Sequence, residues 1–175
     1  MKTNIALIGF MGTGKTVVGK RLAEKLDKEF VELDALIERK VGKTIPEIFQ
    51  QDGEIAFREL EIEAAKEASK KKNVVIACGG GVVLNKINID RLRKESLIVY
   101  LKASPGVILR RTLSDTNERP LLKSDNKALA VKELLKFRQP FYQRAADITI
   151  DTSKLDIDSV VERIIARVKA DESLT

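Results

Sequence analysis

The 175-residue sequence contains no histidine, no tryptophan and a single cysteine, Cys78. Without histidine, a Ser-His triad, a histidine general base and the usual zinc sites are excluded. Any general base must then be Asp or Glu, with Lys or Tyr as weaker choices. One cysteine cannot form a disulfide within the chain, which fits a reducing compartment. Aromatic residues make up only 5%, so stacking platforms for single-stranded nucleic acid are scarce. The apolar runs are short, such as Val74-Val75-Ile76-Ala77-Cys78, far below the roughly 20 residues of a membrane span. Met1-Lys2-Thr3-Asn4 leads straight into strand-like Ile5–Ile8 and then glycines, so no signal peptide is expected.

What is present is ordinary for a globular chain: 43% apolar and 33% charged residues, with 32 basic against 26 acidic side chains, a net charge of +6. An anionic small-molecule substrate accounts for the basic excess as well as nucleic acid does. The length suits one domain over 1–175. Apolar runs alternate with amphipathic stretches. Strands are expected at 4–9, 30–33, 73–78, 96–101 and 147–150. Helices are expected at 15–26, 35–40, 54–70, from 105 to about 113, at about 128–144 and at 156–168. Gly42 closes one helix, and Thr44-Ile45-Pro46-Glu47 reads as a cap with a first-turn proline. Residues 114–126 are polar and read as a mobile loop, and 170–175 as a frayed tail. Strands separated by helices imply a parallel sheet covered on both faces, with ligands at the carboxyl ends of its strands.

Gly9-Phe10-Met11-Gly12-Thr13-Gly14-Lys15-Thr16 matches G-x-x-x-x-G-K-[ST] between a strand and a helix. The glycines let backbone N–H groups curl toward phosphate oxygens at a helix N-terminus. Lys15 is expected to reach the β- and γ-phosphates and Thr16 to ligate Mg²⁺. This loop implies a nucleoside triphosphate and leaves the phosphoryl acceptor open among water, a nucleotide, a small alcohol and a protein side chain. No acid ends the strand at 74–78, so the metal-supporting carboxylate is sought elsewhere. Glu32 and Asp34, two residues apart on a strand, would face one side. One would then support the metal and the other accept a proton. The competing reading makes Asp34 the cap of a helix starting at Ala35.

The phosphate loop at 9–16, Asp34, Phe57-Arg58-Glu59-Leu60-Glu61, Gly79-Gly80-Gly81 and Arg119-Pro120-Leu121-Leu122 together resemble shikimate kinase, in order along essentially the whole chain. The loop alone is widespread; the later segments carry the specificity. The resemblance implies a P-loop NTPase-type three-layer α/β/α fold with a five-stranded parallel sheet, nucleoside monophosphate kinase-like. A helical substrate-binding segment at about 34–61 and a lid at about 114–126 belong to it. It implies Mg²⁺-dependent transfer from ATP to the 3-hydroxyl of shikimate, on the route to chorismate and the aromatic amino acids. By the same resemblance Lys15, Asp34 and Arg119 are catalytic. Gly12, Thr13, Gly14, Lys15, Thr16, Val17, Arg110 and Arg119 hold the nucleotide, and Asp34, Arg58, Gly79, Gly80, Gly81 and Arg138 hold shikimate. Thr16 and Glu32 serve the metal. Glu32 stands where the family commonly has Asp, and its extra methylene alters its reach to the metal's water shell. A cytoplasmic monomer is expected, with no nucleic-acid or membrane partner.

Each assignment has a plainer rival. Arg58 has Glu54, Glu59 and Glu61 nearby for a surface ion pair, Arg119 is also an ordinary loop arginine, and the glycine triplet is also a loose connection. At the level of function the rivals are a kinase of another small hydroxy acid such as gluconate, a nucleotide-sensing module without turnover, and a basic nucleic-acid-associated NTPase.

Overall fold

In the computed structural model, residues 1–115, 119–122 and 124–171 are described. Five parallel strands form one sheet in the order β2-β3-β1-β4-β5, comprising β1 (Asn4–Ile8), β2 (Glu29–Glu32), β3 (Val74–Ala77), β4 (Ser96–Lys102) and β5 (Ile148–Asp151). The central strands β1 and β3 are buried at every position, as expected for a sheet covered on both faces. Edge strand β5 alternates buried and exposed residues. Helices α1 (Lys15–Leu26) and α8 (Ile157–Ala170) cover one face, where Val18, Leu22, Val161 and Ile164 pack on Ile5, Leu7 and Val99. The other face carries α2 (Leu33–Val41), α3 (Ile45–Gln51), α4 (Gly53–Ala68), α5 (Lys86–Glu95), α6 (Pro105–Ser114) and α7 (Lys127–Ala145). Their side chains form a larger core with Ala6, Ile8, Ile76, Ile98 and Tyr100.

The expected strands and helices are present, with two instructive differences. The sequence pattern assigns no element where α5 stands: Ile89 and Leu92 point inward, but Ile87 is exposed and the rest of the segment is polar, which blurs its periodicity. Helix α2 begins at Leu33, with Glu32 as its N-cap, so Asp34 lies in its first turn and neither belongs to a strand nor caps the helix. The capping box at Thr44 agrees with the sequence: Thr44 and Glu47 bond each other's backbone N–H groups. Within the polar segment expected to be a mobile loop, a 3₁₀ turn at Pro120–Leu122 buries Leu122 in the larger core. Residues 116–118 and 123 of that segment, and 172–175 of the tail, lie outside the described residues.

The sheet order brings the carboxyl ends of β2, β3 and β1 side by side. Glu32 pairs in register with Ala77, and Ala77 with Leu7. Glu32 and Asp34, the glycine triplet, and the phosphate loop come directly after these three strands, so the topology alone gathers them at one edge.

Asn4 ties this frame at its opposite end. It is fully buried, its Nδ2 donates to the Lys71 carbonyl at 2.7 Å and its Oδ1 accepts from Val74 N–H at 3.0 Å. Asn4→Ala would leave both backbone groups without that partner, at about 1–3 kcal/mol for each buried group left unpaired. The variant is expected to unfold at a lower denaturant midpoint with an unchanged m-value in chemical denaturation.

Candidate active site

Gly14 precedes α1 with φ of 89°, and Gly12 has φ of 77°, both in the left-handed region that side chains avoid. A Cβ on Gly12 would also meet Thr112 Oγ1 at 3.2 Å. Inside the loop, Lys15 Nζ donates to the carbonyls of Gly9 (2.7 Å) and Phe10 (2.9 Å), and Thr13 Oγ1 donates to Phe10 O at 2.8 Å. Burial lowers the Lys15 ammonium from 10.5 to about 8; nearby Asp34 opposes that shift, while Arg119 and Arg138 reinforce it.

Two cavities open at this edge. One, about 840 Å³, is lined by Gly12 through Val18, Glu32, Asp34, Arg111, Arg119 and Thr152 among others. The other, about 520 Å³, is lined by Glu32, Asp34, Arg58, Glu61, the glycine triplet, Arg119 and Arg138, with Phe49 and Phe57 beside them. Met11, Glu32, Asp34, Gly79, Gly80 and Arg119 belong to both. A carboxylate, Asp34, and a guanidinium, Arg119, therefore stand at the junction of a phosphate-loop chamber and an arginine-lined chamber.

The second chamber is built around the triplet. A Cβ on Gly79 would lie 3.0 Å from Asp34 Oδ1 and 3.1 Å from Glu61 Oε2. On Gly80 it would lie 3.2 Å from Arg138 Nη1, and on Gly81 2.1 Å from Arg58 Nη1. The glycines thus allow four ionisable side chains to rest against backbone. Arg58 Nη1 donates to Glu61 Oε1 at 3.1 Å and Nη2 to Glu54 Oε1 at 3.2 Å, so the expected ion pairing is real and coexists with a place in the chamber. Arg138 is 2% exposed. Burial raises the pKa of Asp34, with Lys15 as the chief opposing charge, and raises that of Glu61, with Arg58 opposing. Among the described residues, Asp34 Oδ1, Glu61 Oε2 and the Nε atoms of Arg58, Arg119 and Arg138 are buried without a hydrogen-bond partner. Unsatisfied polar atoms of this kind, gathered in one cleft, mark where a polar ligand belongs.

Most of the residues expected at the site meet there. Glu32 and Asp34 do share a cleft, but through the start of α2 and not through strand alternation. Val17 lines the phosphate-loop chamber and is half exposed. Arg110 is exposed and lines neither chamber; its neighbour Arg111 lines the first. Arg111 Nη1 donates to Gly12 O and Thr152 Oγ1, and Nη2 to Thr152 O, each at 3.2 Å. One helical step separates the two arginines, and the repeat Arg110-Arg111 offers no signal for choosing between them. Glu61 enters the sequence reading as the end of the Phe57–Glu61 segment and as an ion-pair partner for Arg58, without a site role; its place three residues after Arg58 on α4 is the signal for one. Arg119 Nη2 pairs with Asp115 at 2.6 Å. Cys78 is buried and its thiol is pushed up to about 12, so it is no nucleophile here.

Oxygen donors for a metal are at hand: the Thr16 hydroxyl at the start of α1, and the Glu32 and Asp34 carboxylates lining the same chamber. This set fits Mg²⁺, which takes few protein ligands and fills its shell with phosphate and water.

Comparison with known proteins gives a consistent result. The family model described as shikimate kinase matches residues 11–169. A shikimate kinase of Caldanaerobacter subterraneus is 51% identical over 162 residues, covering 93% of this chain and 94% of that protein. One from Thermodesulfovibrio yellowstonii is 50% identical over 162 residues, covering 93% and 92%. Among solved structures, shikimate kinase from Acinetobacter baumannii in complex with shikimate superposes with a TM-score of 0.93 at 38% identity, covering 98% of this chain and 96% of that one.

The burial of Lys15 has a measurable consequence in the nucleotide-free protein. Its pKa is about 8 when folded and 10.5 for the ordinary ammonium, so between these values the unfolded chain binds more protons and stability rises with pH. Relative to Lys15→Met, the wild type is expected to gain on the order of 3 kcal/mol as pH goes from below 8 to above 10.5. Thermal or urea unfolding of both proteins across that range reads the difference, and a pH-independent difference would refute it.

Proposed function

The chain belongs to the shikimate kinase family, and from that premise we propose that it transfers the γ-phosphoryl group of ATP, with Mg²⁺, to the 3-hydroxyl of shikimate. The observation that carries this reading is the shared wall of the two chambers, with Asp34 and Arg119 between the phosphate loop and the arginine pair. Shikimate has one carboxylate and three hydroxyls. Arg58 and Arg138, from α4 and α7, offer guanidinium forks that bind a carboxylate through paired hydrogen bonds. With the carboxylate held at that end, a ring hydroxyl reaches toward Asp34.

The phosphate loop from Gly12 to Val17 takes the nucleotide phosphates through backbone N–H groups, and Lys15 exchanges its bonds to Gly9 and Phe10 carbonyls for phosphate oxygens. Thr16, with Glu32 beside it, would hold Mg²⁺, which would supply charge neutralisation on the phosphates. Asp34 takes the proton of the attacking hydroxyl as that oxygen bonds to the γ-phosphorus and the bond to the ADP oxygen breaks. Lys15 and Arg119 face the charge on the transferring group. The ring of the base packs at Arg111 and Thr152, where the sequence alone points to Arg110. In this reading the whole chain is one kinase domain. Its helices over 34–61 wall the acceptor chamber, and the segment 114–126 closes over ATP and excludes water.

A gluconate kinase or a nucleotide sensor is not favoured: the family match spans most of the chain, and the acceptor chamber carries both arginines and the carboxylate. A cytoplasmic monomer without nucleic-acid or membrane partners completes the proposal. Among the described residues no helix is long and apolar enough to cross a membrane.

The deciding experiment is ADP release from Mg-ATP on adding shikimate. Asp34→Asn is expected to fold and bind ATP while kcat falls by about 10²–10⁴, the usual weight of a general base. Arg119→Ala is expected to lower kcat with the ATP Kd little changed. Near-normal turnover in either variant would remove that residue from the catalytic set.

A further inference from the structure

Helix α7 places Arg138 in the acceptor chamber and a second side chain against its glycine wall. One turn further on, Tyr142 is fully buried, and its phenol donates to the carbonyl of Gly80 at 2.6 Å. Its ring stacks on Tyr100, with centroids 5.1 Å apart and planes at 21°. Burial raises the phenol's pKa and the neighbouring Arg138 guanidinium opposes that rise, so the hydroxyl keeps its proton and remains a donor.

The bond matters because of what it holds. Three successive glycines have more backbone freedom than any other tripeptide, and a ligand site built on them needs that freedom removed. The carbonyls of Gly79 and Gly81 are tied back by Val82 and Leu84 N–H groups, both at 3.1 Å. The carbonyl of Gly80 is tied instead from helix α7, by the Tyr142 hydroxyl behind the chamber wall, and Gly80 lines both chambers. Gly80 is also the glycine against which Arg138 lies. Pro140 sits between Arg138 and Tyr142 and lacks the N–H that would bond the Lys136 carbonyl one turn back.

We propose that Tyr142 is a positioning residue for the acceptor: by holding the Gly80 carbonyl it sets the glycine triplet and the adjacent Arg138 guanidinium in the arrangement that binds shikimate. The proposal rests on the assignment of this chamber to shikimate given above. Tyr142 touches neither reacting atom and acts through Gly80 and Arg138.

The test is Tyr142→Phe in the full chain, which keeps the ring stack and deletes one hydroxyl. Losing a buried hydrogen bond of this kind is expected to raise the KM for shikimate about tenfold. The KM for ATP should stay within about twofold, and kcat within about threefold, the pattern of lost ground-state binding. Isothermal titration with shikimate in the absence of nucleotide should show the same loss of affinity. Tyr100→Phe, which alters the partner in the stack but not the bond to Gly80, should leave the shikimate KM unmoved. An unchanged shikimate KM in Tyr142→Phe overturns the proposal. So does a parallel rise in both KM values, or a loss of fold, since either would make the hydroxyl a stabilising group only. Arg138→Lys separates this from the underlying assignment. If it leaves shikimate binding intact, the chamber is not the acceptor site; if it weakens binding and Tyr142→Phe does not, the positioning role alone fails.

Discussion

Four ionisable side chains packed against a stretch of backbone without side chains set the terms for everything else in this protein. Asp34, Glu61, Arg58 and Arg138 approach Gly79, Gly80 and Gly81 at distances where any Cβ would stand in their way. Removing charges from water is costly unless each finds an opposite charge or a hydrogen bond. Here the balance is only partial. Glu61 and Arg58 satisfy each other through one pair of atoms, while Glu61 Oε2 and Asp34 Oδ1 are buried without hydrogen-bond partners among the described residues. Carboxylate acceptors and guanidinium donors are both left over for a polar ligand to meet.

The sheet explains how such a cluster forms from distant parts of the chain. Strands β2, β3 and β1 end side by side, and each runs on into a different piece of chemistry: acids, glycines and phosphate loop. Helices α4 and α7 then bring one arginine each across the larger core. The side chains are thus mounted on regular elements, which limits their freedom before any ligand arrives.

Much of this is legible in the residues. The phosphate loop combines a rigid spacing with a strand before it and a helix after it, and buried strands announce themselves as apolar runs. Where sequence and structure part, the deciding force is tertiary. Asp34 belongs to a helix because α2 starts two residues earlier than the polar pattern implies, and the cleft it shares with Glu32 arises from that turn. Arg110 and Arg111 are indistinguishable as residue types, and only the packing of α6 beside the loop lets Arg111 bond Gly12 and Thr152 while Arg110 is left exposed. Helix α5 turns just Asn88, Ile89 and Leu92 into the interior, too little to stand out among its charges. Glu61 reads in the sequence as the end of a recognisable segment with no chemistry of its own, and only its burial gives it a place in the chamber.

The lysine folded across the phosphate loop carries one more implication. By gripping the carbonyls of Gly9 and Phe10, Lys15 acts as an internal placeholder and keeps the nest in shape before a nucleotide arrives. In the role proposed for Lys15, an incoming phosphate would displace existing bonds instead of ordering a slack loop, with a smaller net gain and a smaller entropic penalty. Under the proposed nucleotide role of this loop, the ammonium would have the Gly9 and Phe10 carbonyls to return to when the diphosphate leaves.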